Sequence, residues 1–289
     1  MTDLSTAFRD RVHFVTGAAS GIGLELSRQI TALGGHVVMS DRDGAALEAA
    51  AKGLGNSEGE TAAVVADVSD ADAVRAAREA VLERFGAVHT VFNNAGVGMG
   101  GDAGGIDLRD WRWIVDINLM GVVHGVEVFA DDLKGNDPGP DGLRGRFVNT
   151  ASMAGHMVLP GVAPYHATKF AVVGYSEALR MELERDKVGV TCLCPTFVQT
   201  RIHTTARHAP SAGGVQDEND PKFQMGAAMV ANGMKVDTFV AHALRAIADN
   251  RRFAFNDPIM ATAFDVRRDY LKADLEAGLA DIREIEGET

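Results

Sequence analysis

Short runs of β-branched and apolar residues alternate along this chain with longer stretches in which apolar positions recur every three or four residues. Residues 12–16 (V-H-F-V-T) read as a strand and 23–33 as a helix. A strand at 36–40, an alanine-rich helix near 45–52 and a third strand at 62–66 follow. The pattern then predicts a helix over 70–85 with Asp70 as its cap, a strand over 88–93 and a long helix over 111–133. A strand at 147–150, a helix at 163–185 and a strand at 190–194 complete the alternation. Strand and helix in strict turn predict an α/β fold, a single doubly wound parallel sheet with right-handed crossovers and helices on both faces.

No repeat and no interior linker interrupts the pattern, so residues 1–289 are expected to form one domain. The breaker-rich stretch G-N-D-P-G-P-D-G at 135–142 joins a helix to a strand and reads as a surface loop. Two segments stand outside the alternation. Residues of about 200–235 form a long connection dotted with Phe223, Met225, Met229 and Met234, the composition of an adaptable lid over a substrate. Residues of about 258–289 form a C-terminal helical tail, charged with a weak apolar stripe over 264–285, suited to capping the domain or packing on a neighbouring subunit.

Composition narrows the classes. A formal charge of -12 argues against nucleic acid as a partner. No run of apolar residues looks long enough for a membrane span, and the N-terminus lacks a signal-peptide pattern. The two cysteines, Cys192 and Cys194, lie two apart on a strand, badly placed to bridge each other. Buried thiols in a reducing compartment follow, so the protein is expected to be cytoplasmic. His156, His166, His203 and His208 are scattered without chelating spacing, and no metal site is expected.

Candidate chemistry collects at the predicted strand ends. After the first strand comes T-G-A-A-S-G-I-G, with Gly17, Ser20, Gly21, Ile22 and Gly23. Glycines there let the chain turn sharply and let a pyrophosphate approach a helix N-terminus. The second strand runs into Asp41, where a carboxylate accepts from adenosine ribose hydroxyls and repels a 2′-phosphate. That selects NAD, although Arg42 beside it favours NADP. Asp67 follows the third strand, placed to accept from an adenine amino group, and the fourth runs into N-N-A-G with Asn94, Ala95 and Gly96. Tyr165 and Lys169, four apart on a predicted helix, stack a phenol beside an ammonium with no carboxylate to neutralise it.

Together, T-G-A-A-S-G-I-G, N-N-A-G, Asn118 in D-I-N-L-M-G, Ser152 in N-T-A-S-M-A-G and the Tyr165/Lys169 pair resemble the short-chain dehydrogenase/reductase family. The likeness covers roughly 11–200 and implies a Rossmann fold. It also implies a catalytic set of Asn118, Ser152, Tyr165 and Lys169, and cofactor contacts at Gly17, Ser20, Ile22, Asp41, Asp67, Val68 and Asn94. In C-P-T-F-V-Q-T, Pro195, Val198 and Thr200 match the family's nicotinamide-facing segment, with Thr196 where the family has glycine. By the same resemblance Lys169 holds the nicotinamide ribose and Asn118 steadies a water that relays protons. An ammonium about 4–5 Å from the phenol is expected to lower its pKa by two to three units.

The substrate is expected to be a small molecule, a secondary alcohol or ketone on an apolar, aromatic or alicyclic body. Val97, Met99, Met157, Val158 and Leu159 would wall its site. T-R-I-H-T-T-A-R and N-R-R-F-A-F-N-D-P resemble segments of the aryl-ether (lignin dimer) alcohol dehydrogenase branch. An NADP-dependent ketone or acyl-carrier reductase is the alternative. A non-catalytic dinucleotide-sensing regulator would be expected to lose Ser152, Tyr165 or Lys169, and all three are present. The helices at 111–133 and 163–185 resemble the pair that builds homodimers and homotetramers in this family, and Ala171, Gly174 and Ala178 permit close approach.

Overall fold

The computed structural model describes residues 3–55, 57–214 and 217–287. Residues 215 and 216 of the expected lid, and 288 and 289 of the expected tail, lie outside them. In chain order the elements are α1 (Leu4–Phe8), β1 (Val12–Thr16), α2 (Gly21–Ala32), β2 (His36–Asp41), α3 (Gly44–Lys52) and β3 (Thr61–Val65). Then come α4 (Ala71–Phe85), β4 (Thr90–Asn93), α5 (Leu108–Val115), a π turn (Asp116–Met120), α6 (Gly121–Gly135) and β5 (Gly145–Thr150). A 3-10 turn (Met153–Gly155), α7 (Ala163–Glu182), β6 (Val188–Cys194) and a 3-10 stretch (Ile202–His208) follow. The chain ends with α8 (Pro221–Ala231), α9 (Val236–Ala248), β7 (Phe253–Phe255) and α10 (Ile259–Glu286).

All seven strands form one sheet in the order β3-β2-β1-β4-β5-β6-β7, every pair parallel. The period of two along each strand sorts side chains between the two faces. Val15, Met39, Phe92, Val148 and Leu193 pack with Leu26 and Ile30 of α2 and with Phe239, Leu244 and Ile247 of α9. Their strand neighbours Phe14, Val38, Val91, Phe147 and Val190 pack on the other face with Val74, Val81, Phe129 and Leu179. Both faces are covered, as a parallel sheet requires. Sequential connections reverse direction between β1 and β4, and the crevice at the strands' C-terminal ends there is where such sheets take ligands.

Local chemistry explains the boundaries. Asp70 caps α4 by accepting from the amides of Asp72 and Ala73, and Gly86 ends that helix with φ of 74°. Several elements depart from the sequence reading, among them α1 and α8. The helix expected over 111–133 begins at Leu108, runs to Gly135 and is interrupted by the π turn, which periodicity does not reveal. This 108–135 run is long and apolar enough to cross a membrane by length and composition, contrary to expectation. Its apolar side, however, is spent on the sheet through Val122, Val126, Phe129 and Leu133. Finally, α9 and β7 were not anticipated, and they extend the sheet and complete one face of the core.

Candidate active site

The glycine turn after β1 is shaped by contacts that side chains would block. Gly17 and Gly21 take φ of 64° and 55°, and a Cβ at Gly23 would lie 2.3 Å from the Gly17 carbonyl oxygen. Ser20 begins α2 without a side-chain capping bond, and the first turn carries no acidic residue. The amides of that turn therefore face outward with their hydrogen-bonding capacity unspent, whereas Asp43 and Asp70 cap α3 and α4. This cradle fits a pyrophosphate. At the end of β2 the Asp41 carboxylate accepts from the amides of Ala19 and Asp43, both at 3.1 Å, so it fixes the turn. Asp67 accepts from the Ser69 amide and hydroxyl, and Val68 is buried against Gly121.

Thr16, the first residue of the T-G-A-A-S-G-I-G motif, organises the N-N-A-G segment. Its hydroxyl donates to the Phe92 carbonyl and accepts from the amides of Asn94 and Ala95 at 2.9 and 3.0 Å. The Asn94 side chain returns a bond to the Thr16 carbonyl. Gly96 leaves space where a Cβ would stand 3.3 Å from Asn118 Oδ1 and 3.5 Å from Lys169 Nζ. Asn118 lies in the π turn, wholly buried. Its amide accepts from the Val97 amide at 2.8 Å and donates to the Val97 carbonyl at 2.9 Å and to the Thr168 hydroxyl at 3.3 Å. The side chain thus pins the loop after β4 to α7.

Ser152, Tyr165 and Lys169 meet at the C-terminal ends of β5 and β6. The Ser152 hydroxyl donates to the Pro195 carbonyl and accepts from the Ala154 amide. Lys169 Nζ lies 5.6 Å from the Tyr165 ring centroid and donates to the Thr150 carbonyl at 2.8 Å. The electrostatics correct the expectation of an acidified phenol. Burial pushes Tyr165 above its ordinary value, and the neighbouring Ser152 hydroxyl only opposes this. Burial also pulls Lys169 down to about 8, against the Cys192 and Cys194 sulfurs, which favour its charged form. In this dry setting desolvation dominates for both groups. Cys192 and Cys194 are buried free thiols, as the sequence implied.

Thr196, the departure from the family pattern, sits in an ordinary conformation and is held by a residue the sequence reading missed. Asn256, just past β7, accepts from the Thr196 amide at 2.8 Å and its hydroxyl at 3.2 Å. Val198 is buried and bridges to Met234, and Thr200 lies beside Gly21. His166 is a brace. Its Nδ1 pairs with the Ala154 carbonyl, and its Nε2 accepts from the Leu159 amide at 2.8 Å, which fixes the neutral Nδ1–H form. His156 is ringed by Phe253, Phe255 and Phe264, and burial pulls it down to about 4.

The segment after β6 lies on the loop after β4. Thr205 accepts from the Gly98 amide at 2.8 Å, Ser211 donates its amide and hydroxyl to buried Asp110, and Lys222 pairs with Asp102. Its far end comes near Arg42: burial, then the guanidiniums of Arg42 and Arg207, push His208 below its ordinary value. Val97 and Met99 are buried, while Val158, Leu159, Met225 and Met229 are exposed. Signals for Thr16 and His166 were present in the motifs themselves. Asp110 had none, and the N-R-R-F-A-F-N-D-P segment that holds Asn256 gave no hint of its partner, since each acts on a segment far away in sequence.

Comparison with known proteins agrees with this geometry. Residues 11–211 match the model of the short chain dehydrogenase family. A CLA biosynthesis dehydrogenase/reductase of Lactiplantibacillus plantarum is 32% identical over 87% of this chain and 89% of its own. A short chain dehydrogenase/reductase from Burkholderia phymatum, solved with NAD, superposes with a TM-score of 0.83 at 33% identity, over 93% of this chain and 96% of its own. A 3-ketoacyl-(acyl-carrier-protein) reductase from Brucella melitensis, solved with NADH, gives a TM-score of 0.72 at 29% identity, over 86% and 96%.

Proposed function

The chain belongs to the short-chain dehydrogenase/reductase family, a nicotinamide-dependent oxidoreductase, and we propose that it moves a hydride between NAD and a secondary alcohol or ketone on an apolar body. The observation that carries this reading is the convergence of Ser152, Tyr165 and buried Lys169 in one site, with the Lys169 ammonium 5.6 Å from the Tyr165 ring centroid. NAD is favoured by Asp41 at the end of β2, and by relatives solved with NAD and NADH.

Gly17, Ser20, Gly21, Ile22 and Gly23 would take the pyrophosphate, Asp41 the adenosine ribose, Asp67 and Val68 the adenine, and Asn94, Ala95 and Gly96 the chain beyond. Pro195, Val198 and Thr200 would face the nicotinamide, which supplies the hydride acceptor and a positive charge when bound. In the oxidative direction Tyr165, as the phenolate, takes the proton from the alcohol oxygen and becomes the neutral phenol. Ser152 turns its hydroxyl from the Pro195 carbonyl, a long bond at 3.3 Å, to that oxygen as charge develops on it. Lys169 stabilises the phenolate by its charge. Asn118 acts by position: with its side chain spent on Val97 and Thr168, a relay water would draw on its remaining acceptor capacity. The segment over 200–235 would serve as the lid and the body as one catalytic domain.

The apolar walls at Val97, Met99, Val158 and Leu159 favour an aromatic or alicyclic body. The second reading, an NADP-dependent ketone or acyl-carrier reductase, is favoured by Arg42 with Arg207 and His208 nearby. Following nicotinamide absorbance over a panel of secondary alcohols, with NAD and then NADP, separates the two. Tyr165→Phe should lose at least about a hundred-fold in turnover, the scale of general acid–base catalysis, while still binding NAD. Turnover close to wild type would remove Tyr165 from this role.

A further inference from the structure

Beyond Arg267, every described residue of α10 is exposed. Only the first turns of this helix touch the body. Met260 is buried, the Phe264 ring meets His156 and Phe255 edge-on at 5.4 and 5.3 Å, and the Arg267 guanidinium lies 4.9 Å from the Phe170 ring centroid. Residues 268–286 then project for roughly 28 Å at 1.5 Å per residue. Helices of this length draw most of their stability from an apolar face packed on something else. This one carries such a face uncovered. Leu271, Leu275, Ile282 and Ile285 are 49, 61, 51 and 83% exposed, and they follow the four-and-three rhythm of a paired-helix seam.

Gly278 fills the remaining seam position. Glycine there costs about 1 kcal/mol relative to alanine, and a Cβ would meet nothing within this chain. The close approach of another helix gives it a purpose.

Charge identifies the occupant. The earlier part of α10 sets Arg267, Arg268 and Lys272 against Asp265 and Asp269. The later part sets Asp274, Glu276, Asp281, Glu284 and Glu286 against Arg283 alone. An antiparallel copy of the same helix places each surplus opposite its complement, whereas a parallel copy places like beside like. Leu271, Leu275, Leu279, Ile282 and Ile285 expose on the order of 600 Å² per copy, so two helices bring together about 1,200 Å², the lower edge of stable specific interfaces.

We propose that α10 is a self-association helix that pairs antiparallel with α10 of a second copy of this chain. Leu275 lies against Gly278 of the other copy and Leu271 against Ile282. This surface is separate from α6 and α7 and independent of the reaction.

The test is disulfide trapping in the full-length protein. Native Cys192 and Cys194 are buried and do not compete. Under mild oxidation in dilute solution, Leu271→Cys/Ile282→Cys should give on the order of ten-fold more linked dimer than either single variant, because pairing raises the local thiol concentration. Adding Leu275→Glu should abolish the linkage while far-UV dichroism and turnover stay unchanged. The proposal is overturned if the double variant yields no linked dimer, or if Ile282→Cys alone links as efficiently, which requires parallel pairing. Linkage that survives Leu275→Glu would also overturn it, as random collision.

Discussion

Lys169→Met removes the ammonium and keeps the length of the side chain. In the structure that charge lies 5.6 Å from the centre of the Tyr165 ring. At an effective dielectric near 20 this separation is worth about 3 kcal/mol to the phenolate, or roughly two pKa units. The pKa that governs kcat for alcohol oxidation should therefore rise by about two units, and kcat at pH 7 should fall about a hundred-fold. Because Lys169 is itself pulled down to about 8, the two profiles should converge as pH climbs past that value.

Stability supplies a control with a definite sign. The Lys169 pKa is lower in the fold than its ordinary 10.5, so burying the charge is a penalty present below about pH 8. That penalty fades as pH rises toward 10.5, because the unfolded chain binds the extra proton in that window. The wild type should gain stability there, and Lys169→Met should not. The assay is kcat against pH at saturating NAD, beside urea unfolding across the same range. A variant that keeps the wild-type kcat profile and shows only a weaker KM for NAD would refute the electrostatic role and leave Lys169 as a ribose ligand.

Further expectations rest on other contacts. Asp41→Ala should lower kcat/KM with NAD about ten-fold, the scale of a hydrogen bond to a charged group, and should raise it with NADP; unchanged cofactor preference would place the ribose elsewhere. Asn256→Leu strips the acceptor from the Thr196 amide and hydroxyl, so stability should fall by about 1–3 kcal/mol and KM for NAD should rise, both absent if the clamp is incidental. His13 is wholly buried and held at about 3, so its contribution is present above its ordinary 6.5 and is lost as pH falls toward 3. From pH 7 to 5 that amounts to about 2 kcal/mol. Urea midpoints should drop over this interval and the drop should shrink in His13→Gln; an equal drop in both would assign it to other groups.

Much of the architecture was legible because the physics behind it is local. Strand faces sort by alternation, as Phe14 and Val15 do, and Asp70 and Gly86 bracket α4 by backbone chemistry that any chain shares. The helix α9 was equally open to reading, since Val236, Phe239, Val240, Ala243, Leu244 and Ile247 keep a helical period. Other features were beyond a one-dimensional reading. A π turn at Asp116–Met120 leaves no compositional trace, and three-residue β7 is too short to show alternation. The candidate site divides the same way. Tyr165, Lys169, Ser152 and the glycines announced themselves by spacing, whereas the acidity of Tyr165 depends on burial that spacing does not report. Asn256 and Asp110 serve partners 60 and 101 positions away, so only the folded chain introduces them.

The clamp on Thr196 has a bearing on where the working protein ends. The stretch 11–211 holds all the residues by which the family is recognised. A polypeptide stopped at 211 would still lack Asn256, the outermost strand of the sheet and the Phe239, Leu244 and Ile247 side chains that roof one of its faces. Such a fragment would be complete as a signature and unfinished as a machine: its loop after β6 unmoored and a band of oily sheet left open to water.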